Sequence, residues 1–219
     1  FYVAIGSQNG RGIGVEGEDA PEVLHGVDFL RTINLGKDSG VKGNVVVIGG
    51  GNVAMDVARS SARLADVESV NMFCLEDAEH MPAHDDEVLE AKEEEVIINN
   101  SWGPVRVITE NGKVTGVEFK RCLSVLDENG RFNPSYDEND TKIVPCDYLL
   151  LSVGQTFAYG NLFEGEDVEL TPRKTIKVDP VTLQTTVDDI FAGGDVASGP
   201  QLAINAIAAG KEADRKSVV

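Results

Sequence analysis

Apolar residues in this chain come as short unbroken runs separated by helical repeats, and their order predicts strands alternating with helices. Phe1-Tyr-Val-Ala-Ile5 is an apolar run ending at Gly6 and is expected to be a strand. A polar, glycine-rich loop follows from Gly6 to Gly17, and Asp19-Ala-Pro-Glu22 then starts an expected helix carrying Val23, Leu24, Val27, Phe29 and Leu30. Val45-Val-Val-Ile48 is apolar throughout, the pattern of a strand covered on both faces in a parallel sheet. From Asn52 to Leu64 the residues Val53, Ala54, Val57, Ala58 and Ser61 recur at helical spacing and give one small-residue face. Ser69 to Cys74 reads as a second strand, and Asp85 to Glu95 as an acidic helix with Val88, Leu89 and Ala91 for packing.

The pattern changes at Ile97. Val105 to Thr109, Val114 to Leu123 and Ile143 to Val153 are strand-like, joined by Glu110-Asn-Gly-Lys113 and by a longer loop from Asp127 to Thr141. Asn-Gly between such runs signals a hairpin, so an antiparallel meander is expected. After Gly154 come a loop, short strands around Ile176 to Val178 and Ile190 to Ala192, and a last helix from Pro200 to Lys216 whose Leu202, Ala203, Ala206 and Ile207 sit at helical spacing. The fold class is α/β, a parallel sheet with an added meander.

Composition narrows the partners. With 219 residues, 42% of them apolar, the chain can bury an ordinary core. Its 37 acidic and 19 basic residues leave a net charge of −18, which repels a phosphate backbone, so nucleic acid is not expected as a partner. No apolar run approaches the roughly 20 residues that span a bilayer. The first residue is Phe1 rather than Met, inside an expected strand, as in a piece of a longer protein; no signal-peptide pattern is present. Cys74, Cys122 and Cys146 form no CxxC and no metal-ligand pair, and are read as reduced, buried thiols of a cytoplasmic protein.

Chemistry concentrates at two places. Val45-Val-Val-Ile-Gly49-Gly50-Gly51-Asn52-Val53-Ala54 is GxGxxA between an expected strand and an expected helix, the context of a dinucleotide-binding turn. Gly49 permits the tight turn, Gly51 lets the backbone approach a pyrophosphate, and Ala54 lets the helix lie close to the sheet, while the first helical amides face the phosphates. Glu76, 22 residues past Ala54 and beside Asp77, stands where a carboxylate accepts hydrogen bonds from the adenosine ribose and repels a 2′-phosphate. That favours NAD(H) over NADP(H); a solvated acidic turn is the alternative, and Arg59 and Arg63, one turn apart, are the candidates for holding a phosphate instead.

The second place is Thr185-Thr-Val-Asp-Asp-Ile-Phe-Ala-Gly-Gly194-Asp195. The pattern T-(x)5-[FY]-A-x-G-D resembles the second flavin-binding motif of flavoproteins with two dinucleotide-binding domains, and the GxGxxA upstream resembles their inserted nicotinamide domain. Gly26-Val-Asp-Phe-Leu30, Met81-Pro82 and Leu151-Ser-Val-Gly154-Gln155 look like the small (beta) subunit of glutamate synthase and its relatives. The resemblance implies a Rossmann-like NAD(P)-binding domain at 21–155, with Gly154 and Gln155 at its dinucleotide. It also implies flavin-domain pieces at 1–20 and 156–219, an incomplete FAD-binding domain. Asp195 would then bond the ribityl chain of FAD, the amides of Gln201, Leu202 and Ala203 would lie near it, and Ile5 and Gly6 would end a strand beside it.

The chain departs from that family's pattern in two respects. Members that use NADPH often carry paired arginines where this chain has Leu75 and Glu76, and the family opens with a further GxGxxG for FAD that is not found before Phe1. A disulfide mechanism like that of thioredoxin reductase is excluded, because Val27 to Asn44 holds no cysteine. His25, His80 and His84 are assigned structural or solvent-facing places, since hydride transfer is done by the cofactors. The acidic run Asp85 to Glu95 is read as a solvated face. The expected role is hydride transfer from NAD(P)H to FAD and onward to an electron-accepting subunit or iron–sulfur domain whose ligands this chain lacks, the 219 residues alone being inactive. The rival is a non-catalytic NAD(H)-binding or regulatory module.

Overall fold

A computed structural model describes residues 1–216, which fall into two compact units, 1–9 with the residues from 155 onward, and 10–154. Strand β1 (Tyr2–Val3) belongs to the smaller unit, and the chain leaves it within β2 (Asn9–Gly10). The boundary lies earlier than the sequence suggests, because Ile13, Val15 and Ala20 of the expected linker pack on the core of the larger unit.

In that larger unit, β3 (Val23–His25) precedes α1 (Gly26–Asn34), so the helix expected from Asp19 starts later and its first apolar residues are a strand. The physical reason is a parallel ladder in which Leu149, Leu150 and Leu151 pair with Val23, Leu24 and His25. Then follow β4 (Gly43–Ile48), α2 (Asn52–Ala62), β5 (Val67–Phe73), α3 (Asp85–Glu93) and β6 (Ile97–Asn99). Three antiparallel strands come next, β7 (Trp102–Glu110), β8 (Lys113–Leu126) and β9 (Phe132–Pro145). The meander is present, but most of the loop expected from Asp127 to Thr141 is β9, paired to β8 from Phe132 to Pro145. The run expected as one strand from Ile143 divides at Cys146 and Asp147. Its first part closes the meander and its second is β10 (Tyr148–Leu151), inside the parallel sheet.

That sheet has the order β3-β10-β4-β5-β6, all parallel. Its central runs, residues 45–48 and 149–151, are apolar throughout because both faces are covered there. Val45, Val47, Val70, Met72 and Leu150 pack with Phe29 of α1, with Ala54, Met55, Val57 and Ala58 of α2 and with Ala91 of α3. Val46, Ile48, Phe73, Leu149 and Leu151 face the meander residues Trp102, Val107, Val117 and Phe119, with Phe73 stacked on Phe119 at 4.1 Å. The strand order reverses between β4 and β10, which opens a crevice at their carboxyl ends, the place where open α/β sheets bind ligands.

The chain re-enters the smaller unit at β11 (Gln155–Thr156). There β12 (Phe191–Ala192) pairs in parallel with β1, and two helices follow, α4 (Asp195–Ser198) and α5 (Ala203–Lys216). Ile176 makes an isolated bridge to Leu170 in place of the expected strand, and buries itself with Val3, Ile190, Ala192 and Val196. The opening strand is shorter than its apolar run, because among the described residues Tyr2 and Val3 pair only with the two-residue β12. Leu202 and Ile207, expected on a packing face, are exposed.

Candidate functional site

Every feature of the glycine turn follows from the meeting of β4, β10 and α2. Gly49 has φ +149, and a Cβ there would run into the Ser152 carbonyl oxygen and lie 3.0 Å from the Ala54 Cβ. Ala54 is fully buried, so both small residues serve the close approach of helix to sheet. Gly51 is the N-cap of α2, with φ −96 and ψ 177, and nothing stands within 4 Å of a Cβ built on it. The space in front of the turn is therefore open. The Ala54 amide turns back to the Gly51 carbonyl at 2.9 Å, while the first-turn amides of Asn52 and Val53 have no partner among the described residues. An uncapped helix start with free donors and the positive end of its dipole is a site for an anion.

Glu76 lies over this turn. Its Oε2 is 2.7 Å from where a Cβ on Gly50 would be, and its backbone carbonyl is held by the Ser101 amide at 2.9 Å and by Asn100 Nδ2 at 3.3 Å. The loop that leaves Glu76 returns to the same place, with the Ala83 amide bonded to the Gly50 carbonyl at 3.1 Å and the His84 amide to Asn52 Oδ1 at 2.9 Å. Sequence reasoning missed both the return and the part played by Asn100. The adjacent Asn99 and Asn100, at the end of the short strand β6, are the signal that could have drawn attention to the second. Gly154, two residues past Ser152, is exposed at φ +110 with open space in front of it.

Arg59 and Arg63 are removed as phosphate ligands. Arg59 bonds Glu87 at 3.0 Å, Glu90 at 2.6 Å and Glu94 at 2.9 Å, and Arg63 bonds Glu94 at 2.5 Å. Hydrogen bonds from Arg63 and then Arg59 hold the Glu94 carboxyl below its usual range. The acidic helix is thus more than a solvated face, for its carboxylates clamp α3 to α2. His80, on the loop after Glu76, sits 2.7 Å from Asp77, which raises the imidazole pKa and lowers that of the carboxyl.

A lookalike shows what the turn requires. Gly12-Ile-Gly-Val-Glu-Gly17 is also GxGxxG, but it lies in a loop, and the amides of Ile13 and Gly14 are already taken by the Glu18 carboxylate at 2.9 and 2.5 Å. The three cysteines are free and buried. Burial, reinforced by Glu76 beside Cys74 and by Asp147 beside Cys146, pushes both thiols up to about 12.

In the smaller unit, β1 and β12 bring Ile5 and Gly6 to the same sheet end as Gly194 and Asp195, since Val3 pairs with Ala192 and the Gly193 amide bonds the Val3 carbonyl. Gly194 has φ +69, which favours glycine, and Asp195 begins α4. Asp195 Oδ1 accepts the Gln201 amide at 3.2 Å, which fixes the carboxylate beside the segment Gln201 to Ala203.

An α/β unit with a glycine turn at its switch point, joined to a second unit with a Gly-Asp strand end, defines a class of two-unit nucleotide-binding proteins. Residues 2–210 match the family described as pyridine nucleotide-disulphide oxidoreductase, and the chain belongs to that family. It is 38% identical over 216 residues to the NADP(+)-dependent formate dehydrogenase subunit beta of Moorella thermoacetica, covering 97% of this chain and 30% of that one. It is 34% identical over 214 residues to the glutamate synthase [NADPH] small chain of Halomonas elongata, covering 91% and 45%. The chain therefore spans less than half the length of these relatives. Among solved structures it resembles Mycobacterium tuberculosis FprA in complex with NADPH, at TM-score 0.75 and 17% identity over 99% of this chain and 63% of that one. Thioredoxin reductase from T. acidophilum matches at TM-score 0.74 and 22% identity over 100% of this chain and 66% of that one. At such identities these structures show a shared fold.

Proposed function

We propose that this chain is the pyridine-nucleotide-binding part of an NAD(P)H-dependent flavoprotein oxidoreductase of the glutamate synthase small-subunit type. The observation that carries the proposal is the open, amide-lined turn from Gly49 to Ala54 at the switch point of the sheet, with Glu76 placed over Gly50. The Asn52 and Val53 amides would hold the pyrophosphate, Gly51 would leave room for it, and Gly154 and Gln155 would lie along the rest of the dinucleotide. The Glu76 carboxylate would accept the adenosine ribose hydroxyls. Asp195, with Ile5, Gly6, Gly194 and the segment Gln201 to Ala203, would hold the ribityl side of FAD. When bound, the two cofactors supply the hydride chemistry, and the protein binds, aligns and shields them.

NAD(H) is the preferred nucleotide, because Glu76 repels a 2′-phosphate and Arg59 and Arg63 are occupied by α3. The names of relatives from Moorella and Halomonas mention NADP(+) and NADPH, which does not favour this preference, so it rests on Glu76 and the two occupied arginines. Electrons pass on to a further subunit or iron–sulfur domain, in keeping with relatives named as subunits. No described helix is long and apolar enough to cross a membrane.

Titration of the 219-residue chain with NADH and NADPH tests the proposal. NADH is expected to bind with a Kd between about 1 μM and 1 mM, or about −8 to −4 kcal/mol, and more tightly than NADPH. A clear preference for NADPH overturns the role of Glu76, and binding of neither overturns the dinucleotide site. FAD is expected to be retained poorly, because the open amide-lined turn from Gly49 to Ala54 is assigned to the nicotinamide dinucleotide and Asp195 with its neighbours would hold only the ribityl side of FAD. A stoichiometric yellow chromophore surviving purification would count against that assignment.

A further inference from the structure

The segment from Glu76 to Ala83 begins and ends on Gly50. At its start the Glu76 carboxylate stands 2.7 Å from the position of a Gly50 Cβ, and at its end the Ala83 amide donates to the Gly50 carbonyl at 3.1 Å. One residue further, the His84 amide donates to Asn52 Oδ1 at 2.9 Å, with His84 as the N-cap of α3. Asn52 is the first residue of α2, so a single side chain ties the start of one helix to the start of the next. Between these anchors Asp77, Ala78, Glu79 and His80 are exposed, and the last three anchor to little besides Asp77 itself, whose Oδ1 accepts the Glu79 and His80 amides at 3.0 Å. Ala83 is buried and Met81 packs on the core below.

We infer that Asn52 is a positioning residue: by holding the His84 amide it keeps the Glu76–Ala83 loop closed against the glycine turn, and it thereby sets the affinity for the adenosine half of the dinucleotide. The inference rests on the dinucleotide reading of the turn. An opened loop must be reordered each time the nucleotide binds, and that ordering cost appears as lost affinity. The role belongs to the acceptor oxygen, since a backbone N–H can only donate. Aspartate keeps this acceptor and suits a helix start, whereas alanine removes it.

The test uses ADP-ribose, which carries the adenosine half without the nicotinamide, and amide hydrogen exchange at Ala83 and His84. Asn52→Ala is expected to speed exchange at both amides and to weaken ADP-ribose roughly 10-fold. Asn52→Asp is expected to restore slow exchange, which is its readout, since a carboxylate beside the pyrophosphate-holding amides repels the phosphates of ADP-ribose. His84→Pro removes the donor from the other side, at a residue whose φ of −67 is close to the value of about −65° that proline imposes. It should match Asn52→Ala in affinity, and the double variant should be no weaker than either single one, because both delete the same bond. Additive losses, or fast exchange in Asn52→Ala with unchanged ADP-ribose binding, overturn the positioning role. Failure of the unsubstituted chain to bind ADP-ribose and NADH overturns the dinucleotide reading itself, a result distinct from either.

Discussion

Gly49 and Gly51 lie two residues apart in the same turn, yet substituting them should have opposite consequences. At Gly49 a Cβ would collide with the Ser152 carbonyl, with its carbon at 2.9 Å and the Ala54 Cβ at 3.0 Å, and φ is +149. Strain of that kind costs about 1–3 kcal/mol, and overpacking a closed contact adds about 1–3 kcal/mol. Gly49→Ala should therefore lose about 2–6 kcal/mol out of the roughly 5–15 kcal/mol that a domain possesses. At about 2–4 °C per kcal/mol for a chain of this size, the midpoint should fall by at least ~4 °C. At Gly51 the backbone is extended, φ −96 and ψ 177, and a Cβ meets nothing within 4 Å. Gly51→Val should cost no more than about 1 kcal/mol, the loss of a favourable N-cap residue, while its side chain fills the space needed by a pyrophosphate and weakens NADH at least ~100-fold, about 2.7 kcal/mol. Thermal unfolding by circular dichroism and NADH titration by fluorescence separate the two effects. The reasoning fails if Gly51→Val binds NADH as the parent does, or if Gly49→Ala melts at the parent temperature.

Two further outcomes follow from the ionisable groups. Glu94 has its folded pKa below the reference value of 4.5, so the stabilisation it gives is present above that value and is lost as pH falls through the folded pKa. Glu94→Gln should lower the melting temperature at pH 7 and flatten its decline below pH 4.5, and parallel profiles for variant and parent would refute the role of the Arg59–Glu94–Arg63 clamp. Cys74 and Cys146, with thiols pushed up to about 12, should resist iodoacetamide at pH 8 in the folded protein and react once urea unfolds it. Rapid native labelling of Cys74, read by mass spectrometry, would show that the end of β5 is open to solvent.

The glycine turn was legible in the sequence because its determinants are local. An apolar run, glycines at fixed spacing and a helix face of Val53, Ala54, Val57 and Ala58 lie within a few residues of one another, and each is required by the backbone it forms. The Gly194-Asp195 strand end was legible for the same reason. Glu76 was found from its distance past the turn, although that distance said nothing of Asn100 holding it from a neighbouring strand end.

Partners far along the chain decided the rest. Val23 to His25 are a strand because β10 supplies a ladder more than a hundred residues later, which outweighs a local pattern suited to a helix. Phe132 to Pro145 extend as a strand because β8 pairs with them, against a composition that reads as a loop. Arg59 and Arg63 face α3 rather than a phosphate because three carboxylates converge on them when α2 and α3 pack side by side. Composition and local spacing thus determined what the glycine turn is. Only the tertiary structure determined what surrounds it, since Ser152, Glu76 and His84 reach Gly49, Gly50 and Asn52 through folding and not through sequence proximity.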